Sequence, residues 1–93
     1  MSLVNKKRVI QKCGVSHKLM TFGYTDSKGI ESVRTVEPYE YRGDLFFGYD
    51  LAKKEIRRFS LSKMANLKEE VNSSFIPKWP LRFPLAELHD INK

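Results

Sequence analysis

Apolar and polar positions alternate along "KLMTFGYT" (residues 18–25), with Met20, Phe22 and Tyr24 on one side. A period of two marks a strand with one buried face. "DSKG" then reads as a turn, with Gly29 free to take a positive φ. "IESVRTVEPYEYR" predicts a second strand, bent or ended near Pro38. "RGD" at 42–44 is a tight turn, and as an adhesion tripeptide it is too short to carry weight. "LFFGYD" predicts a third strand, "LAKK" a turn and "EIRRFSL" a fourth strand. Residues 63–71, "KMANLKEEV", fit either a fifth strand or a helical turn.

The two ends follow other patterns. In "VNKKRVIQKCG", Val9, Ile10 and Cys13 fall on one stripe and Gly14 supplies a stop, which predicts a helix over about residues 4–13. So short a helix must dock to persist. Its lysines are expected on a solvated face, and the leading Met-Ser-Leu is given no role. The tail, residues 72–93, carries Phe75, Trp79 and Phe83, too apolar for a free end. Pro77, Pro80 and Pro84 preclude a regular ladder. The tail is expected to wrap back over the strands; the alternative is an extended "PKWP" segment for a partner's aromatic groove. Strands about every 10 to 15 residues, short turns and one flanking helix predict a mainly β fold. It is a small five-stranded barrel over about residues 17–71, within one domain of residues 1–93. Closing the barrel hides strand edges that otherwise aggregate.

Composition narrows the function. A chain of 93 residues with six Phe and four Tyr can build one compact aromatic core. The single cysteine, Cys13, excludes an intrachain disulfide, which favours a reducing cytoplasm. It is expected to pack as a small hydrophobe. With only His17 and His89 beside it, no zinc site is expected, and no other metal or cofactor is implied. His17 reads as a surface or capping residue, and Glu69 and Glu70 as a solvated pair. No apolar run approaches the ~20 residues of a membrane helix. There is no P-loop, no GxGxxG and no catalytic triad by spacing, so the chain is read as not an enzyme. The net charge of +6 permits an anionic partner and also keeps a small protein soluble. Residues 1–12 hold four cations and no anion.

The parity of the cations is the informative feature. Arg57 and Lys63 share a strand face with Phe59 and Leu61, and Arg34 shares one with Ile30 and Val36. A buried, unpaired guanidinium is very costly. Four solutions exist. A β-bulge resets the parity; the cations pair with acids, as Arg34–Glu37 or Arg57–Asp50; they snorkel to an edge; or they face a ligand. In the last case, arginines at one end of a small barrel form a cationic cup with aromatic walls. A guanidinium matches phosphate, and tyrosines stack on bases.

"FGYTDSKGIESVRTVEPYEYRGDLFFGYDLAKKEIRRFSLSKM" resembles the WYL domain of bacterial transcription regulators. The elements that carry the resemblance are Tyr24, then Arg34, Val36 and Pro38, then Tyr49 and Asp50, then Ile56, Arg57, Phe59 and Leu61. It covers residues 18–64, about half the chain. The name-giving Trp-Tyr-Leu is absent, its place held by Asp44-Leu45-Phe46 or Leu45-Phe46-Phe47. Lys63 and Met64 stand where the family tends to have Arg and Ile. The resemblance implies an Sm-like or SH3-like barrel and a non-enzymatic ligand-sensing role. Its ligands would be nucleotides or short single-stranded nucleic acid. Arg34, Arg57 and Lys63 would be the ligand-facing cations, with Tyr24, Tyr49 and Phe59 beside them. Such domains occur in bacterial regulators and phage-defence proteins. Most follow a helix-turn-helix, for which about ten helical residues are too few, so the chain is expected to be a detached domain, a fragment or a stand-alone sensor. A helix-turn-helix protein, another protein or a second copy is then an expected partner. The alternative is a protein-interaction or oligomerisation barrel that uses its aromatic tail and strand edges.

Overall fold

The computed structural model describes residues 1–89. Predicted tail residues 90–93 lie outside the described residues. Helix α1 spans Leu3–Val15. The leading Ser2 has a role after all: it is the N-cap, and its Oγ accepts the Asn5 N–H at 3.1 Å. Five strands follow, β1 Met20–Thr25, β2 Glu31–Arg42, β3 Leu45–Asp50, β4 Glu55–Ser60 and β5 Met64–Glu69. The ambiguous segment after Lys63 is therefore a strand.

The strands form one antiparallel sheet in the order β4-β3-β2-β1-β5. Strand β2 belongs to both halves: Glu31 to Val36 pair with β1, and Val36 to Arg42 with β3. Strands β4 and β5 sit at opposite ends of that order, yet only a 3-10 turn, Leu61–Lys63, joins them. Three residues of such a turn advance roughly 6 Å. The sheet must curl until its two edges approach, which makes it barrel-like. The Ser60 N–H spans the interior to the Tyr24 hydroxyl at 3.0 Å.

The curled face is the core. Phe22 packs edge-on against Phe59 at 5.0 Å and Phe46 at 6.1 Å. A β-carbon at Gly48 would lie 2.8 Å from the Phe46 ring, so only glycine lets that ring rest on the strand. The pairing of β2 with β3 shifts between Pro38 and Glu40, so Tyr39 is an extra, bulged residue. The bulge restores Tyr41 to the core. It does not reset Arg34 or Arg57.

Two expectations need correction. Of the three helix lysines only Lys12 is solvated as expected; Lys6 and Lys7 are 9% and 5% exposed. The Lys6 ammonium donates to the Leu61 carbonyl at 2.6 Å, and Lys7 to Glu87 at 2.8 Å. A thirteen-residue helix needs a broad docked stripe. Positions 6, 7, 10, 13 and 14 supply it, because lysine stems cover apolar surface while their heads find oxygen. Nor does the strand parity reach Lys63. β4 ends at Ser60, and the 3-10 turn takes Leu61 inward and leaves Lys63 exposed.

The tail wraps back over the strands. Its prolines allow one isolated bridge, Arg82 beside Glu40, where the tail fills the β2 edge that β1 leaves free. Arg82 donates to the Tyr39 carbonyl at 2.8 Å and accepts from Tyr41 at 3.3 Å. Phe83 lies on Gly14 and beside Tyr41. Phe75 is buried, but Trp79 remains 44% exposed.

Candidate ligand-binding mouth

Arg34 lies opposite Phe22 in the sheet and so points to the core face. Its guanidinium is 5.9 Å from the Tyr24 ring centre and 5.7 Å from that of Phe59. Nε donates to Ser32 and Nη1 to Asp50 Oδ2, both at 2.9 Å. Nη2 has no hydrogen-bond partner among the described residues. The Asp50 side chain is only 1% exposed. Its other oxygen accepts the Ala52 and Lys53 N–H groups at 3.0 and 3.3 Å. One carboxylate therefore caps the β3–β4 turn and fixes the arginine.

The ion-pair partners differ from those expected. Arg34 pairs with Asp50, and Arg57 with Glu55 at 2.9 Å. Glu37 has the opposite parity to Arg34 and faces the other side of the sheet, where it holds Lys78. Asp50 sits diagonal to Arg34, because Val36 is its direct partner on β2. Glu55 and Arg57 are two apart on one strand and share a face.

Of the six residues singled out in the sequence, Arg34, Tyr24 and Phe59 are in contact. Arg57 is on the same face two positions before Phe59, with its side chain 37% exposed. Lys63 is exposed on the 3-10 turn, with no ion pair among the described residues. Tyr49 faces the opposite side of the sheet, 5.9 Å from Trp79 and beneath the Lys78 ammonium at 4.7 Å. It does not line the mouth. Ser32 was missed, and Asp50 entered as part of the resemblance and as another arginine's partner, not as the partner of Arg34. The signal for Asp50 was local, an aspartate opening the turn "DLAKK".

Elsewhere, burial pushes the Cys13 thiol up to about 11, which makes it a poor nucleophile. Burial and the hydrogen bond to Glu37 push the Tyr39 hydroxyl up to about 12. The Lys7 ammonium holds the Glu87 carboxyl below its ordinary range. Among the described residues no three His, Cys, Asp or Glu side chains converge, and no helix is long and apolar enough to cross a membrane.

No family model and no curated protein matches the chain. A solved structure does. A WYL-like fold is what the likeness supports, with five curled strands behind one docked helix. The structure concerned is the proteasome accessory factor B/C (PafBC) of Arthrobacter aurescens, 28% identical over 83% of this chain with a TM-score of 0.66. The chain spans 13% of that protein's length.

Proposed function

We propose that this chain is a ligand-sensing regulatory module, without catalysis of its own. Its mouth takes an anionic ligand, a nucleotide or a short single strand. The observation that carries this reading is Arg34, its guanidinium packed beside the touching rings of Tyr24 and Phe59 with one nitrogen free. Asp50 and Ser32 preorganise that guanidinium. Asp50 also neutralises most of its charge, so Arg34 aims and stacks while Arg57 meets the phosphate. The Arg57–Glu55 pair is exposed and gives it up at a cost of ~0–1 kcal/mol. Lys63 adds a third cation from the neighbouring turn. The likeness to part of PafBC supports a regulatory setting, in which a helix-turn-helix or other partner protein reads the bound state.

Calorimetric titration with mononucleotides, cyclic dinucleotides and short oligonucleotides tests the reading. Binding should weaken with salt, and Arg57→Gln should abolish it without moving the urea midpoint. Failure of the parent protein to bind any of them, or binding indifferent to Arg57→Gln, would sink it.

A further inference from the structure

The outer face of the sheet carries a second constellation, remote from the mouth. In the register, Arg82, Glu40, Phe47 and Arg58 form one row across the tail, β2, β3 and β4. Paired residues of neighbouring strands show their side chains on the same face. Along β3, Tyr49 follows Phe47 on that face, about 6.6–6.8 Å away. The Trp79 ring centre lies 5.9 Å from that of Tyr49 and 5.2 Å from that of Tyr39. Each strand aromatic has a cation over its ring: Arg42 lies 5.5 Å from the centre of Phe47, and Lys78 4.7 Å from that of Tyr49. Arg42, Arg58 and Arg82 are exposed and make no ion pair among the described residues. Glu40 is the acid set among them, because Glu37 is committed to Lys78.

We infer that this face is a stacking platform for single-stranded nucleic acid, separate from the mouth. Three unmatched arginines around one carboxylate leave an excess of positive charge, complementary to a phosphate chain. A row of aromatic rings adds nothing for an acidic peptide, but it gives unpaired bases π-faces to stack on. A duplex keeps its bases stacked and cannot use the row. The Arg42 guanidinium resting on Phe47 fits the same ligand: a phosphate draws it outward and a base takes the face it leaves, while Lys78 stays on Glu37. A guanidinium plane is itself a stacking surface. This inference does not depend on a ligand in the mouth.

Trp79 is the only tryptophan and is 44% exposed, so its fluorescence reports the platform directly. The probe is a short single-stranded oligonucleotide of mixed sequence, titrated at two salt concentrations. Quenching is expected, and it should be weaker for the corresponding duplex. Phe47→Ala should weaken binding roughly tenfold through lost stacking. Arg58→Gln, at an exposed site, should reduce the salt slope by about 0.7. Lys28→Gln, on the exposed turn after β1, should leave the quenching curve unchanged. The inference is overturned if the oligonucleotide binds without quenching Trp79, if Arg58→Gln has no effect, or if Lys28→Gln removes the signal. Equal competition by polyglutamate would also overturn it, because the face would then read charge alone.

Discussion

The two faces of the sheet use the same residue types in opposite ways. In the mouth, arginines share a face with the core, and each has a carboxylate within 2.9 Å. On the outer face, Arg42 over Phe47, Arg58 opposite Phe47 and Arg82 opposite Glu40 are exposed and lack ion pairs among the described residues. Burial accounts for the Arg34–Asp50 pair, while the exposed Arg57–Glu55 pair follows from two residues sharing a strand face. A guanidinium near the core must be matched, because desolvating it alone costs several kcal/mol. An exposed one keeps its water and needs no partner. A matched cation is a weak indicator of a ligand, and an unmatched one over a ring is a stronger indicator.

The sharpest way to break this comparison is at Asp50. Asp50→Asn leaves Arg34 largely buried and without its counter-charge, and it weakens the cap on the β3–β4 turn. The expected cost is ~3–5 kcal/mol, read from the urea midpoint. Its outer-face counterpart, Glu40→Gln, should stay within about 0.5 kcal/mol. Equal effects at the two positions would erase the distinction between the faces.

A smaller effect tests how the tail is held against the outer face. Alanine normally improves a helix over glycine by roughly 0.5–1 kcal/mol. At Gly14 the sign should reverse, since a β-carbon there would overlap the Phe83 ring. Gly14→Ala should destabilise by ~1–3 kcal/mol and loosen the segment that carries Arg82. Oligonucleotide binding at the outer face should then weaken. A stabilised variant would show that Phe83 is not an anchor.

Much of this architecture was legible in the chain, and the missing part has a common cause. Met20, Phe22 and Tyr24 alternate as a strand must, Gly29 and Gly43 take φ of 79° and 60° in their turns, and the strand count follows. These are local patterns. The arginine parity was legible too, and Arg34, Tyr24 and Phe59 do meet. What failed depends on distant contacts. Lys7 is buried because Glu87, eighty residues away, accepts a hydrogen bond from its ammonium. Tyr49 leaves the mouth because its parity opposes that of Asp50, which was readable from "FFGYD" once one of the two was placed. The outer row rests on Arg82 reaching Glu40, and no spacing in the sequence announces a single bridge between two prolines.

Acid provides the next test, again through the tail. Glu87 joins Lys7 and the Gly43 N–H, at 2.8 and 3.0 Å. Its folded pKa is lowered, chiefly by the Lys7 hydrogen bond. The unfolded carboxyl titrates near about 4.3. The stabilisation is therefore present above that pH and is lost as pH falls through the folded value. Urea midpoints measured from pH 7 downward should fall below about pH 4.3. Glu87→Gln should be less stable at neutral pH and show a shallower acid limb. An unchanged acid limb in that variant would remove Glu87 from the clamp.

A small expected effect on stability, at Arg57, is the most informative about the mouth. Arg34 and Arg57 both face the core side, but their pairs differ in exposure: 16% and 1% for Arg34–Asp50, 37% and 59% for Arg57–Glu55. Water screens the second pair, so its net worth is ~0–1 kcal/mol. Arg57→Gln should therefore move the urea midpoint little, and a double-mutant cycle with Glu55→Gln should give coupling within that range. Arg34→Gln should cost several times more, because it strands the buried Asp50. If Arg57 proves as costly as Arg34, its charge is structural, and the mouth has no cation to spare for a phosphate. If Arg57 is dispensable for folding and required for nucleotide binding, then the two arginines divide the work. Arg34 holds the rings in place, and Arg57 meets the ligand.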